Sequence, residues 1–154
     1  MEEELKAVRA AAYRLLNRRW YSVYQLKEKL RQKKFPLSQI DLITEELLQD
    51  KFLDDRRFAA MWIEEKKSSS GRRKIISELK LKGIEKDIII AELNNYTEEE
   101  EEKAAKALAK CRFGSYLQEE KEKRQQRLGN FLLRRGFSSA LAWKIINWME
   151  RTSR

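Results

Sequence analysis

The densest chemistry in this chain is cationic. Lys66-Lys67-Ser68-Ser69-Ser70-Gly71-Arg72-Arg73-Lys74 places five cations and three hydroxyls around the start of a helical stretch. Free amides at a helix N-terminus, serine hydroxyls and guanidinium groups all donate to anionic oxygens, so such a segment can hold a phosphate or a carboxylate. The glycine spacing and the Lys-Ser/Thr ending of a Walker A loop are missing. A solvated loop with ordinary surface charge is the competing reading. Further cations recur at equivalent places near the end of a repeated helix: Arg31, Lys33 and Lys34, then Lys80 and Lys82, then Arg134 and Arg135, with Arg124 and Arg127 ahead of the last pair. Cations there favour the helix C-terminus whatever the function. Their recurrence makes a continuous basic track if the repeats stack in matching orientation.

Other residue types offer less. The chain has no histidine, which removes Ser-His-Asp and Cys-His nucleophiles, His-ligated zinc and imidazole acid-base chemistry. Asp54-Asp55 could be paired catalytic carboxylates, but an acid followed by Phe58-Ala59 periodicity fits a helix cap better. Glu98 to Glu102 point in different directions on a helix and are expected to be a solvated helix start rather than a metal site. Cys111 reads as a small apolar packing residue. Trp20, Trp62, Trp143 and Trp148 could stack on bases, though core packing is the expectation for most, with Trp20 lying in the turn between helices. The expectation is therefore no catalytic site, no cofactor, no metal and no small-molecule substrate.

The elements that must position these cations are helices. Leu, Lys, Glu, Arg, Ala and Gln dominate, with one Pro and five Gly, and no useful strand-like alternation occurs. Three segments superpose. Leu26, Leu30, Phe35 and Ile40 correspond to Ile75, Leu79, Ile84 and Ile89, and to Leu128, Leu132, Phe137 and Ala142, with identical offsets of 4, 5 and 5. Gly83 and Gly136 precede the third anchor and suit a left-handed helix cap, whereas the first segment has Lys34 there and Pro36 just beyond. Ser22 with Gln25, Ser38 with Asp41, Thr97 with Glu100, and Ser138 read as N-caps. A further helix precedes each pair, so the expected fold is all-α: tandem three-helix modules at 1–53, 54–96 and 97–154, forming an elongated, curved helical array.

Length and charge agree with this. A chain of 154 residues with 42% apolar content supports thin helical cores. The formal charge of +9 favours polyanionic partners, nucleic acid or an acidic protein surface. Residues 121–154 hold nine basic and two acidic groups, which makes the third module's helix pair the strongest polyanion-facing candidate. A lone cysteine and an N-terminus without signal-peptide features point to the cytoplasm, and no apolar run is long enough to span a bilayer.

Lys51-Phe52-Leu53-Asp54-Asp55-Arg56-Arg57-Phe58-Ala59-Ala60-Met61-Trp62 resembles the signature of the RecX family, an aromatic-aliphatic-Asp-Asp-x-x-Phe-Ala run followed by an aromatic. Arg18-Arg19-Trp20-Tyr21-Ser22-Val23-Tyr24-Gln25-Leu26 resembles the family's arginine-containing turn, with Gln25 in place of Glu. Gly71-Arg72 and Glu78-Leu79-Lys80-Leu81-Lys82-Gly83-Ile84 resemble its downstream elements, while Lys51 stands where the family commonly has Gly. In this family Phe52, Leu53, Asp54, Asp55, Phe58, Ala59 and Trp62 would be mainly structural. The resemblance implies a non-enzymatic bacterial protein that binds RecA, lodges in the groove of the RecA–DNA filament, and restrains filament extension, ATP turnover, strand exchange and repressor cleavage. Direct binding to single- or double-stranded DNA is a further partner expectation. Two other readings remain: a helix-turn-helix-like DNA-binding transcription regulator, and a helical scaffold for an unrelated acidic protein.

Overall fold

The computed structural model describes residues 2–153. Every regular element among them is helical: α1 (Glu2–Arg18), α2 (Val23–Gln32), α3 (Leu37–Gln49), α4 (Asp55–Lys66), α5 (Arg72–Leu81), α6 (Lys86–Leu93), α7 (Glu98–Phe113), α8 (Lys121–Arg134) and α9 (Ser139–Thr152), with a short 3-10 turn at Gly114–Tyr116. No described helix is long and apolar enough to cross a membrane.

The helix starts follow from their capping residues. The Gln25 amide donates to Ser22 Oγ at 3.1 Å and the Ser22 amide donates to Gln25 Oε1 at 3.2 Å, a reciprocal capping box. Thr97 and Glu100 make the same pair at the start of α7, and Ser138 Oγ accepts from the Leu141 amide at 3.1 Å. The second helix of the first repeat differs from expectation. Its cap is Pro36, without a side-chain hydrogen bond, and α3 begins at Leu37, so Ser38 lies inside the first turn. Proline presets the extended entry, and its carbonyl accepts from the Gln39 and Ile40 amides.

One turn geometry recurs. After α2, α5 and α8 the amides of Phe35, Ile84 and Phe137 donate back to Leu30, Leu79 and Leu132, while those of Lys34, Gly83 and Gly136 donate to Arg31, Lys80 and Leu133. These are Schellman caps, which need a left-handed residue at their corner. Gly83 and Gly136 supply it at φ 78° and 94°, and Lys34 does so at φ 72°. A fourth cap ends α3, with Lys51 at φ 62° and the Phe52 amide donating to Leu47 O at 2.9 Å. Phe35, Ile84 and Phe137 thereby turn inward; Ile84 and Phe137 are buried and Phe35 packs on the edge of its core.

The chain divides into two compact units, residues 1–60 with 79–89 and residues 61–78 with 90–154. In the first, Leu26, Leu30, Ile40, Ile43 and Leu47 meet Val8, Ala11 and Ala12 of α1. Ser22 Oγ donates to Lys82 O at 2.5 Å, and the Val23 amide donates to Asp55 Oδ1 at 2.9 Å. In the second, Leu128, Leu132, Phe137, Ile145 and Ile146 pack on Ala104, Ala105 and Ala109, whose small side chains bring α7 close to α8 and α9. Cys111 is exposed, contrary to the packing role expected of it. Two residues along a helix from Ala109 it faces roughly 200° away from that stripe.

Candidate polyanion interface

The segment 66–74 is built into the second unit from both sides. Tyr96, buried, places its hydroxyl 2.8 Å from Lys67 O and 2.9 Å from Ser70 O. Burial pushes the Tyr96 phenol well above its ordinary value, so it stays a neutral donor. The Gly71 amide donates to Arg135 O at 2.8 Å, and the Arg73 amide donates to Gly136 O at 3.1 Å. A Cβ on Gly71 would lie 2.5 Å from the Gly136 carbonyl carbon, so only glycine permits this approach.

The anion site at the start of α5 is filled from within. Glu101 Oε2 accepts from the Arg72 amide at 2.7 Å, and the Arg72 guanidinium donates to Tyr96 O beside the same carboxylate. Lys67 Nζ lies 2.9 Å from Glu100 Oε2 and 3.0 Å from Glu64 Oε2. The hydrogen bond from Lys67, followed by that from the Thr97 amide, holds the Glu100 carboxyl below its ordinary value. Glu102 pairs with Lys144 at 3.1 Å and Lys106 at 3.5 Å. The start of α7 is therefore only partly the solvated acidic run that the sequence suggested: Glu98 and Glu99 are exposed, whereas Glu100, Glu101 and Glu102 meet Lys67, Arg72 and Lys144 from distant parts of the chain.

Other cations separate into engaged and open groups. Arg124 makes a two-pronged contact with Glu150 at 2.9 and 2.8 Å and donates to Glu119 O, with both ion-pair partners largely buried. Arg127 pairs with Glu119 at 3.0 Å, and Arg31 with Glu28 at 2.8 Å. Arg135 donates to Ser69 O at 3.4 Å and lies over Phe131, while Lys66 lies over Trp62. Lys82 contributes its carbonyl to Ser22, and the Lys74 backbone packs on Gly136. Lys33, Lys34, Arg73, Lys80 and Arg134 are exposed and make no ion pair among the described residues. Arg134 shares a shallow polar recess with Arg127, Asn130 and Tyr116.

The Asp54-Asp55 run is structural in its contacts. Asp54 Oδ1 accepts from the Arg56 and Arg57 amides at 3.0 and 3.2 Å, capping α4, and Asp55 takes the Val23 amide. Burial pushes the Asp55 carboxyl up, against the pull of that amide. Leu53, Phe58 and Ala59 are buried, whereas Phe52 is exposed. Trp62 Nε1 donates to Glu78 Oε2 at 2.7 Å, and Trp148 packs against the second core. Trp20 and Trp143 lie outside the cores, 48% and 57% exposed. Among the described residues no group of carboxylates and thiols is arranged to hold a metal ion.

Family models described as the first, second and third three-helix domains of RecX match residues 9–47, 54–93 and 98–146. A regulatory protein RecX from Thermobifida fusca is 30% identical over 147 residues, which cover 94% of this chain and 80% of that protein. One from Clostridium tetani is 31% identical over 128 residues, covering 82% of this chain and 59% of the relative. The crystal structure of RecX from Lactobacillus salivarius superposes with a TM-score of 0.88 at 21% identity, across 97% of this chain and 99% of that one, and so shares its fold.

Proposed function

The chain belongs to the RecX family of regulatory proteins, and from that premise we propose that it binds a RecA recombinase in its filament on DNA and restrains filament extension, ATP hydrolysis, strand exchange and the filament's coprotease activity. The observation that carries this reading is the ordered match to all three RecX three-helix domains, from residue 9 to residue 146. The charge distribution supports it. Among the described residues Lys33, Lys34, Arg73, Lys80 and Arg134 make no ion pair, so they are available to acidic recombinase surfaces or to phosphates.

In this reading the protein acts by occupancy rather than by chemistry. The cytoplasm is where it would work, and no cofactor enters. Helical modules that seat their cations against the filament would fill space required by an incoming duplex, and binding stronger to one filament state than to another would shift the filament's equilibrium. Co-sedimentation with RecA assembled on single-stranded DNA tests the binding itself. The protein should pellet with the filament, and more weakly as salt rises. Failure to pellet at low salt would sink the proposal.

A further inference from the structure

The first compact unit carries a cleft that the basic clusters do not include. Tyr13, Trp20 and Phe52 wall it, Arg19, Lys51 and Arg57 rim it, and it encloses about 460 Å³. Its aromatic surfaces follow from the local chain path. Between α1 and the Ser22 cap, Tyr21 turns into the core at 7% exposure, which leaves its neighbour Trp20 outside at 48%. On the opposite wall the left-handed Lys51 ends α3, Leu53 is buried, and Phe52 between them stays 53% exposed. The Phe52 ring stands edge-on to Tyr13, centroids 5.4 Å apart at 88°.

Two of the cations are held against aromatic rings. The Arg57 guanidinium sits 4.9 Å from the Trp20 ring centroid while its Nη2 donates to Lys51 O at 2.7 Å. That of Arg19 sits 3.9 Å from the Tyr21 centroid and donates to Trp20 O at 3.3 Å. Among the described residues none of Arg19, Lys51 and Arg57 has a carboxylate within ion-pair distance. The one acid lining the cleft, Asp54, has Oδ1 occupied by the amides of α4.

Exposed aromatic surface beside three cations that outnumber the single carboxylate of the cleft matches a strand with unpaired bases. Rings stack on bases of any sequence, and the cations take the adjoining phosphodiesters. A duplex keeps its base faces inside its own stack and could use only the cations. We infer that this cleft binds an unpaired nucleobase of single-stranded nucleic acid against Trp20, with Arg19, Lys51 and Arg57 on the flanking phosphates. The inference goes beyond the recombinase reading and does not require it, because the strand alone is the ligand.

The test uses the full chain without recombinase, measuring fluorescence anisotropy of a labelled oligothymidylate and of an abasic phosphodiester of equal length. The base-bearing strand should be preferred on the order of tenfold. Trp20→Ala should bring the two affinities together and Trp20→Phe should keep most of the preference, both with unchanged far-ultraviolet circular dichroism. Arg57→Ala should weaken both strands and flatten the salt dependence. Equal binding of the two strands by the unaltered protein, or a preference that survives Trp20→Ala, would overturn the inference. So would a Trp20→Ala protein that binds both strands normally but loses a protein partner, since the cleft would then be a protein contact.

Discussion

Glu101 Oε2 accepts a hydrogen bond from the Arg72 backbone amide at 2.7 Å, so the positive end of α5 is satisfied by a carboxylate from α7. An external phosphate would have to displace that side chain. Glu101→Ala is expected to destabilise the fold by about 1 kcal/mol, the usual cost of losing a side-chain cap. It should also make stability depend on phosphate or sulfate, which could refill the vacated position. Thermal melts of both proteins with and without phosphate check this. A Glu101→Ala protein as insensitive to phosphate as the parent would contradict the account.

A left-handed corner and a close backbone approach should respond in opposite senses to substitution. Lys34 adopts φ 72° where the equivalent residues are Gly83 and Gly136, so Lys34→Gly is expected to stabilise by about 1 kcal/mol, and the melting temperature should rise by about 2–4 °C. Gly71→Ala is the counterpart. Its Cβ would meet Gly136 and Phe137 backbone atoms at 2.5–2.6 Å, and a backbone clash of that kind costs about 1–3 kcal/mol. Melts of the two variants beside the parent would show one midpoint rising and the other falling.

Stability should fall at acid pH for a reason readable in the ion pairs. Hydrogen bonds from Arg9 to Glu46, from Lys67 to Glu100 and from Lys144 to Glu102 hold these carboxyls below their ordinary value of 4.5. Such groups bind fewer protons folded than unfolded, so their contribution is present above pH 4.5 and is lost as pH falls through the lowered values. Asp55 has the opposite sign, its burial raising it above 3.8 and favouring the fold slightly as that carboxyl protonates. The carboxylates in ion pairs outnumber it, so melting temperature should be flat from neutral pH down to about 4.5 and then decline. Removing Glu100 and Glu102 together by Gln substitution should shallow that decline.

Arg124 and Arg134 should behave differently although both lie in the basic helix pair. Arg124 is committed to Glu150 and Glu119, so Arg124→Ala should lower stability by about 1 kcal/mol, with little change in filament affinity at temperatures where it is folded. Arg134→Ala and Arg73→Ala should leave the melt unchanged and, if they face phosphates, each reduce the salt slope of binding by about 1. Paired melts and salt titrations separate the two behaviours.

What the sequence made visible was whatever recurs with the helical period. The spacing shared by Leu26, Ile75 and Leu128 and their companions marks positions that are buried, Phe35 alone being only partly so, because a helix face repeats wherever a core repeats. Capping residues were legible for the same local reason: Ser22, Thr97, Ser138 and Asp54 act on amides two or three residues away. Contacts between distant segments were not. Nothing local tells Glu101 that it will meet the amide of Arg72, 29 residues earlier. Nor does the pair Trp20-Tyr21 say which ring enters the core; the following Ser22 cap and the close of α3 decide it. Arg18 and Arg19 directly before Trp20 and Tyr21 are the local hint to the inferred cleft, since cations beside aromatics are what a stacking surface requires.

The most direct test of the regulatory reading is the ATPase rate of RecA on single-stranded DNA, titrated with this protein at two salt concentrations. The account predicts a fall in rate at amounts well below one molecule per RecA, steeper at the lower salt. A rate unchanged up to equimolar protein, in a preparation that binds DNA normally, would contradict it.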